Sequence, residues 1–351
     1  MKAALRRIFW KNLLLLLAVV VAFVGFKYLT VKNAELLRRD CLYLDSWAVQ
    51  CVDKTDDELT VFVDTLAQKL ASDKAFRERA EWDTQKLLSS YTNRKETQRL
   101  ISFAQTGEGV LPAGLPPNYL KLLDFYQQLD SPAVINTQPL DLYFAYQSEN
   151  VVPVLVLILG AILWGVHFET EIYKYALTTK SGKTYSRTLA VTLILMGMLL
   201  FCSNELFDLW RSGLLEHSYI RESPVQSYSY FSNVQMNTSI GTVLLLVLCS
   251  KLLSLFILSH AAWLIARWKK SVKSTVIWVF LLLIILLFLG KAIENTQCYP
   301  LVQIGMVDWK QLIISTTILL PTGVAALPAG LVLTAVVEII LLGWCVRLDR
   351  N

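Results

Sequence analysis

The sequence predicts an all-α polytopic membrane protein with six transmembrane helices and a mostly helical extracellular domain between the first two. The first observation is composition: of 351 residues, 54% are hydrophobic and 17% are charged, and the mean hydropathy is +0.47. Soluble domains carry about one quarter charged residues. The second observation is that the apolar residues are gathered into long runs, and about 20 such residues cross a bilayer.

The first element, residues 1–30, joins a basic N-terminus to a first span. Leu13 to Phe26 is an apolar run, with Trp10 before it and Lys27 and Tyr28 after it. Long side chains at such positions reach towards the membrane surface. A cleaved signal peptide has the same order of basic and apolar residues. The run is long for a signal peptide and is followed by no clear small-x-small cleavage site, so an uncleaved anchor is favoured.

Residues 31–150 mix charges of both signs and contain no run long enough to span a membrane. Thr55 to Glu58 has the pattern of a helix-capping box, and apolar residues follow it at helical spacing. Gly107 to Pro117 is a loop rich in glycine and proline. These features predict a mostly helical domain with one small core. Cys41 and Cys51 could pair there in an oxidising compartment, and two reduced thiols fit the sequence equally well.

Residues 151–351 are predicted to form a five-span transmembrane domain, with apolar cores at 151–166, 189–201, 240–266, 276–289 and 331–346. Residues 202–239 are predicted to form a polar connection between the third and fourth spans. A shorter apolar stretch within 311–327 precedes the last span and is interrupted by Pro321 and Gly323. Such a stretch fits a re-entrant helix that dips into the membrane and returns. It fits an ordinary interfacial loop segment equally well.

Basic residues are concentrated in alternate short loops, which predicts the orientation of the chain. The N-terminus, the loops 168–187 and 267–273 and the C-terminus are predicted on one side of the membrane. They hold most of the Lys and Arg of the short loops and chain ends. Cytoplasmic loops carry this excess. We therefore expect a multi-pass membrane protein with both termini cytoplasmic and residues 31–150 outside.

Several classes of function are disfavoured by the sequence. The net charge of +5 is spread over short loops, unlike the clustered charge of a nucleic-acid-binding domain. Gly182-Lys183-Thr184 ends like a nucleotide-binding loop, but Leu177 stands where that motif requires glycine. The sequence contains neither a nucleophile elbow nor a zinc-binding helix motif. We therefore expect no enzymatic activity, no metal site and no cofactor in this chain.

Two charged residues interrupt the predicted spans, Lys251 in the fourth and Glu338 in the sixth. A lone charge near the centre of a membrane costs at least about 2.5–3.5 kcal/mol, so such residues usually face a partner or a water-filled cavity. One hypothesis is an ion pair between them. The other is that they are unrelated, with Lys251 reaching towards the surface and Glu338 bonded to a neighbouring helix.

The polar loop between the second and third spans carries a family resemblance. Residues 169–182 read Glu-Thr-Glu-Ile-Tyr-Lys-Tyr-Ala-Leu-Thr-Thr-Lys-Ser-Gly, and residues 223–227 read Ser-Pro-Val-Gln-Ser, with Phe231 soon after. These phrases, Lys251-Leu252-Leu253, and the short apolar stretch before the sixth span resemble the permease subunit of an ABC-2 type ABC transporter in its Gram-positive form. The basic residue after the glycine is Lys183, and Ile172 and Tyr173 stand where many relatives have glycine.

The resemblance implies that loop 168–187 is a coupling loop, with a short helix and a Thr-Thr-Lys-x-Gly turn, that docks on a separate ABC ATP-binding protein. A helix with an apolar edge can bind in a groove on a partner protein. The alternative is a solvated loop whose basic residues reflect only the positive-inside rule. The implied coupling residues are Glu169, Glu171, Tyr173, Tyr175, Lys180 and Lys183.

Further implications concern assembly and cargo. The permease would pair with a second copy or a paralogue, and the partner would use the ATP. The exported cargo would be amphiphilic, such as a bacteriocin peptide, a lipid-linked molecule or a drug. Two alternatives stay open: a non-transporting sensor or scaffold that binds a ligand through its extracellular domain, and an ion-coupled secondary transporter, a class that usually shows internal repeats.

Overall fold

The computed structural model describes residues 14, 17, 18, 21–23, 25, 27, 47–51, 54–107, 124–147, 152–170, 180–231, 237–296 and 326–350. Within these ranges the regular elements are helices, and pairing of the β type is limited to one isolated bridge between Pro224 and Ser239. The all-α class predicted from composition and apolar runs is confirmed.

Nine α-helices follow in chain order within the described ranges. They are α1 Asp56–Ser72, α2 Lys74–Thr106, α3 Gln138–Gln147, α4 Val152–Glu169, α5 Lys180–Arg211, α6 Ser218–Glu222, α7 Ile240–Lys269, α8 Val272–Thr296 and α9 Ala326–Arg350. Two single turns of 3₁₀ helix, Val225–Ser227 and Ser229–Phe231, lie between α6 and α7.

Helices α1 and α2 form a hairpin whose local signals are visible in the sequence. The predicted capping box is confirmed, because the Thr55 hydroxyl accepts from Glu58 N and the Glu58 carboxylate accepts from Thr55 N. Asp73 then ends α1 and caps α2 by accepting from Phe76 N at 3.1 Å. The two helices run antiparallel, since Ala71 contacts Arg77, Thr60 contacts Tyr91 and Asp56 contacts Arg94.

The hairpin packs on the segment between α5 and α7. Asn93 of α2 donates to the Gln226 carbonyl at 2.8 Å, and the Ser227 hydroxyl accepts from Ala133 N at 2.9 Å. Asp141 of α3 accepts from Tyr228 Oη at 2.6 Å and also pairs with Lys86. Residues 212–231, which the sequence suggested only as a polar connection between spans, therefore belong to the same packed unit as the helical domain.

Within the part of the chain that the structure describes, three helices are long and apolar enough to cross a membrane, which fits a membrane protein: Val152–Glu169, Leu189–Arg211 and Ile240–Lys269. Helices α8 and α9 contain shorter apolar stretches, Val272–Leu286 and Ala335–Cys345. Helix α7 is central, because it packs against α4, α5, α8 and α9. Its contact with α4 is close: a Cβ at Gly160 would lie only 3.0 Å from the Ala262 Cβ.

The start of α5 differs from the expected Thr-Thr-Lys-x-Gly turn. Residues 180–182 already belong to the helix, which runs without interruption from Lys180 to Arg211. No proline interrupts this part of the chain, and a glycine costs a helix only about 1 kcal/mol. The predicted loop is thus shortened at its C-terminal end. Most of the predicted re-entrant segment, residues 311–325, lies outside the described residues, and residues 326–327 begin α9.

Candidate functional site

Among the described residues, the largest group of connected, buried polar side chains lies where α3, α5 and α7 meet. It is a cluster of seven side chains that we call the charge network: Lys27, Tyr143, Asn204, Glu205, Asp208, Arg211 and Lys251. Lys27 comes from the predicted first span, so the network also ties the N-terminal segment to the remaining helices.

Lys251 forms the first half of the network together with Glu205 and Tyr143. The Lys251 side chain is fully buried, and its Nζ lies 2.9 Å from Glu205 Oε2 and 3.1 Å from Tyr143 Oη. The Tyr143 hydroxyl donates in turn to Glu205 Oε2 at 2.8 Å. A buried charge at this position is therefore matched by an opposite charge and by hydrogen bonds, as burial requires.

Asp208 forms the second half and is also fully buried. Its Oδ1 accepts from Lys27 Nζ at 3.0 Å and lies 3.0 Å from an Arg211 guanidinium nitrogen. The Arg211 guanidinium stacks on the Tyr146 ring, 3.3 Å from the ring centre. One carboxylate thus holds two cations, and an aromatic face from α3 shields one of them.

The geometry of α5 brings the two halves together. Asn204, Asp208 and Arg211 are four and three residues apart, which places them on one face of the helix. The Asn204 amide lies between the two carboxylates and donates to Glu205 Oε1 at 3.3 Å and to Asp208 Oδ2 at 3.1 Å. The two ion pairs consequently form a single connected network.

The phenol of Tyr143 stays protonated throughout the ordinary pH range. Complete burial and the adjacent Glu205 carboxylate raise its pKa well above the usual value. Its hydroxyl is therefore a permanent donor to Glu205 and an acceptor for Lys251. This arrangement contains no activated nucleophile. What it can do is hold α3 of the helical domain against α5 and α7.

The structure places the two predicted intramembrane charges in different contacts. Lys251 pairs with Glu205, and Glu338 of α9 lies against His260 of α7, with 2.8 Å between Glu338 Oε1 and His260 Nδ1. The His260 contact has the distance of an ion pair but not the direction of a hydrogen bond. Neither hypothesis describes both contacts: the direct Lys251–Glu338 pair is not formed, and Lys251 is fully buried against Glu205 and does not reach towards the surface. Glu338 lies against a neighbouring helix, as the second hypothesis expected.

The predicted coupling residues are described only in part. Glu169 ends α4, and its Oε2 accepts from Val272 N at 3.2 Å, so it caps the start of α8. Lys180 and Lys183 lie in the first turn of α5. Glu171, Tyr173 and Tyr175 lie outside the described residues. The structure therefore connects Glu169, a predicted coupling residue, to the start of α8. Sequence reasoning did not anticipate this contact.

Cys51 is buried in the core of the helical domain, and its Sγ lies 3.5 Å from the Trp47 carbonyl oxygen. Its predicted partner, Cys41, lies outside the described residues, so the disulfide stays a prediction.

Cys51 is expected to resist alkylation in the folded protein. Burial raises the pKa of its thiol to about 11 from the ordinary 9.0. Since the thiolate reacts, labelling by iodoacetamide at pH 8 should be at least about 100-fold slower than for an ordinary exposed thiol. Mass spectrometry of the peptide, before and after unfolding in urea, measures this. Equal rates in both states would contradict the burial, and no labelling after unfolding without reductant would indicate a disulfide.

The raised pKa of Cys51 also predicts a pH dependence of stability. The folded state binds the thiol proton more tightly than the unfolded state does. Its contribution to stability is therefore complete below pH 9 and decreases as the pH rises towards 11.

Sequence reasoning missed Glu205, Asp208, Lys27 and Tyr143. The apolar run of the third span ends at Phe201, and the residues after it were interpreted as part of a polar connection. Helical spacing beyond that point was the available signal, because Asn204, Asp208 and Arg211 repeat on one helical face. The helix continues to Arg211, and its last two turns carry the network.

Comparison with known proteins does not extend this description. No protein-family model, no curated protein and no solved structure matches the chain. Among the described residues, no group of three or more His, Cys, Asp or Glu side chains could hold a metal ion. The described part of the chain is helical, and its three long apolar helices fit a membrane protein.

Proposed function

We propose that the chain is the six-span permease subunit of an ATP-driven exporter of the ABC-2 type, and that a separate ABC ATP-binding protein docks on the loop after α4. The permease pairs with a second copy or a paralogue in a bacterial cell membrane. The cargo is amphiphilic, and the helical domain lies outside the cell. The chain itself supplies neither catalytic residues nor a nucleotide site.

The contact between Glu169 and Val272 carries this proposal. Glu169 begins the loop after α4 and accepts from the backbone at the start of α8. The helices also touch one turn earlier, where a Cβ at Gly165 would lie 3.0 Å from the Val272 Cα. A partner that pushes on the loop would thus move α4 and α8 together, while α5 begins directly at the other end of the loop.

The charge network supports the same proposal from the opposite end of α5. The loop precedes the first turn of α5, and the network occupies its last two turns. A shift of α5 would therefore act on α3 of the helical domain through the hydrogen bond between Tyr143 and Glu205. Domain movements of this kind are a common form of switching in proteins.

Co-purification tests the proposal. The tagged chain, expressed together with its neighbouring genes, is expected to retain an ATPase that carries Walker A, Walker B and signature motifs. Permease bearing Glu171→Ala and Tyr173→Ala should lose that ATPase while remaining folded. The matched control is Glu78→Ala, which removes an exposed side chain on α2. A chain that never retains an ATPase would refute the proposal.

An ion-coupled secondary transporter is the second candidate, and one observation favours it. Beside Lys251 the described helices bury two carboxylates that the sequence did not suggest, Glu205 and Asp208, and a half-buried contact joins His260 to Glu338. Intramembrane ionisable residues frequently mark ion pathways. Transport by reconstituted protein in the absence of ATP, driven by a proton gradient, would support this candidate over an ABC permease.

A further inference from the structure

We propose that the corner where α7 meets α8 binds an anionic phospholipid, with the headgroup on Lys269 and Lys273 and the acyl chains on the exposed face of α8. This inference depends on a membrane location for the helices but not on the partner ATPase or on transport.

The corner is a tight, ordered turn. Helix α7 ends at Lys269, and Lys270 adopts a left-handed conformation with φ of 51° while its N–H donates to the Ala266 carbonyl at 2.9 Å. Helix α8 begins at Val272, so the two helix ends are separated by only two residues. The chain reverses direction at this corner. The corner therefore lies at one end of two neighbouring apolar helices, where a membrane surface would be.

Two tryptophans hold Lys269 at this corner. The rings of Trp268 and Trp278 lie 5.1 Å apart, centre to centre, and Lys269 Nζ lies 3.3 Å and 4.2 Å from their centres. Trp268 is 64% exposed. Tryptophan is the strongest aromatic partner for a cation and is enriched at the level of lipid headgroups. The indoles therefore fix the ammonium group at that level.

The corner is strongly basic. Residues 267–273 contain Arg267, Lys269, Lys270 and Lys273, and Lys273 is exposed. Glu169 contributes one negative charge, which is directed at Val272 N. Among the described residues here, the basic side chains outnumber this carboxylate, so the corner attracts a phosphate group. Such attraction is strongest near an anionic membrane surface.

An exposed apolar stripe continues from the corner along α8. Its residues recur at helical spacing on one face and are 43% to 71% exposed: Ile277, Leu281, Ile284 and Phe288. The stripe is about 16 Å long at 1.5 Å per residue. That length matches one leaflet of a hydrocarbon core of about 30 Å. A basic corner next to an apolar stripe as long as one leaflet is complementary to the phosphate headgroup and the acyl chains of a single anionic lipid.

A second copy of the chain suits this surface less well than a lipid does. A twofold axis along the membrane normal would place the same residues of both copies at the same depth. The two basic corners would then face each other, and like charges repel. A lipid phosphate instead supplies the opposite charge.

Native mass spectrometry and thermal stability test the proposal with two lipids that share dioleoyl chains. The full-length protein in neutral detergent is expected to retain dioleoylphosphatidylglycerol over dioleoylphosphatidylcholine and to melt at a higher temperature in its presence. The variant Lys269→Gln with Lys273→Gln should reduce that preference about thirtyfold, since each lysine near a lipid surface contributes roughly fivefold in affinity. The variant Lys269→Arg with Lys273→Arg should keep it.

Lys95→Gln is the matched control, because Lys95 also lies over an aromatic ring, that of Tyr91, but on the helical domain. It should leave the lipid preference unchanged. Inorganic phosphate at the same concentration should neither stabilise the protein nor displace the lipid. The proposal is overturned if the double glutamine variant, shown to be folded by circular dichroism, keeps its preference, or if phosphate alone displaces the lipid. Loss of self-association instead of lipid binding would identify the surface as a contact between copies.

Discussion

Lys251→Met is expected to lower the free energy of unfolding by about 3–5 kcal/mol, because it leaves the Glu205 carboxylate buried without its cation. Glu205 is 5% exposed in its side chain, so water cannot replace the lost partner. Tyr143 and Asn204 still donate to the Glu205 carboxylate, but two neutral hydrogen bonds do not offset a buried charge. Equilibrium unfolding in mixed micelles with increasing dodecyl sulfate measures the loss.

A double-mutant cycle shows whether the loss arises from the Lys251–Glu205 pair. Glu205→Gln removes the charge that Lys251→Met leaves behind, so the double variant should be more stable than Lys251→Met alone. The matched cycle uses Glu338→Gln, whose partner in the structure is His260. Its effect should add to that of Lys251→Met. Strong coupling with Glu338 and none with Glu205 would contradict the structure.

Asp208→Asn should cause the second large loss of stability, also about 3–5 kcal/mol, because the fully buried carboxylate holds two cations. The amide keeps the shape of the side chain but removes the charge, and Lys27 and Arg211 then repel each other. The same micelle unfolding experiment measures this loss. It should be accompanied by weaker protection of the N-terminal segment from protease, since Lys27 is attached through Asp208.

Asp56→Asn is the matched control for Asp208→Asn. Asp56 also pairs with an arginine, Arg94 at 2.5 Å, but its side chain is 53% exposed. Exposed ion pairs contribute about 0–1 kcal/mol. The hydrogen bond from Arg94 lowers the pKa of Asp56, so its small contribution is present at neutral pH and disappears as the pH falls through that lowered value. Equal losses for the two variants would contradict the assigned burial of Asp208.

Local sequence patterns predicted the helices well and their contacts poorly. The core predicted at 240–266 lies within Ile240–Lys269, and residues 152–166 of the core predicted at 151–166 lie within Val152–Glu169, because a run of apolar residues is a local signal. The partner of Lys251 is not a local property. It depends on how α5 is rotated against α7, and apolar residues around most of α5 leave that rotation undetermined.

The charge network was missed for a related reason. A search for apolar runs ends a span at the first cluster of polar residues, which here begins at Ser203 and Asn204. Asn204, Glu205 and Asp208 of that cluster are buried, and Tyr143 of the helical domain, Lys251 and Lys27 contact their carboxylates. Their burial could not be predicted without that tertiary contact. The Thr-Thr-Lys-x-Gly turn was expected from the family resemblance alone. In the structure its last three residues, 180–182, belong to α5.

The most direct test of the proposed function compares ATP hydrolysis with transport in liposomes that contain the permease and its ATPase. Single alanine substitutions of Glu171, Tyr173, Tyr175 and Lys180 are the informative variants, and Glu78→Ala is the control. The proposal predicts that variants which still retain the ATPase hydrolyse ATP but no longer move an amphiphilic peptide, while the control does both. Full transport by every loop variant, or transport that persists without the ATPase, would contradict it.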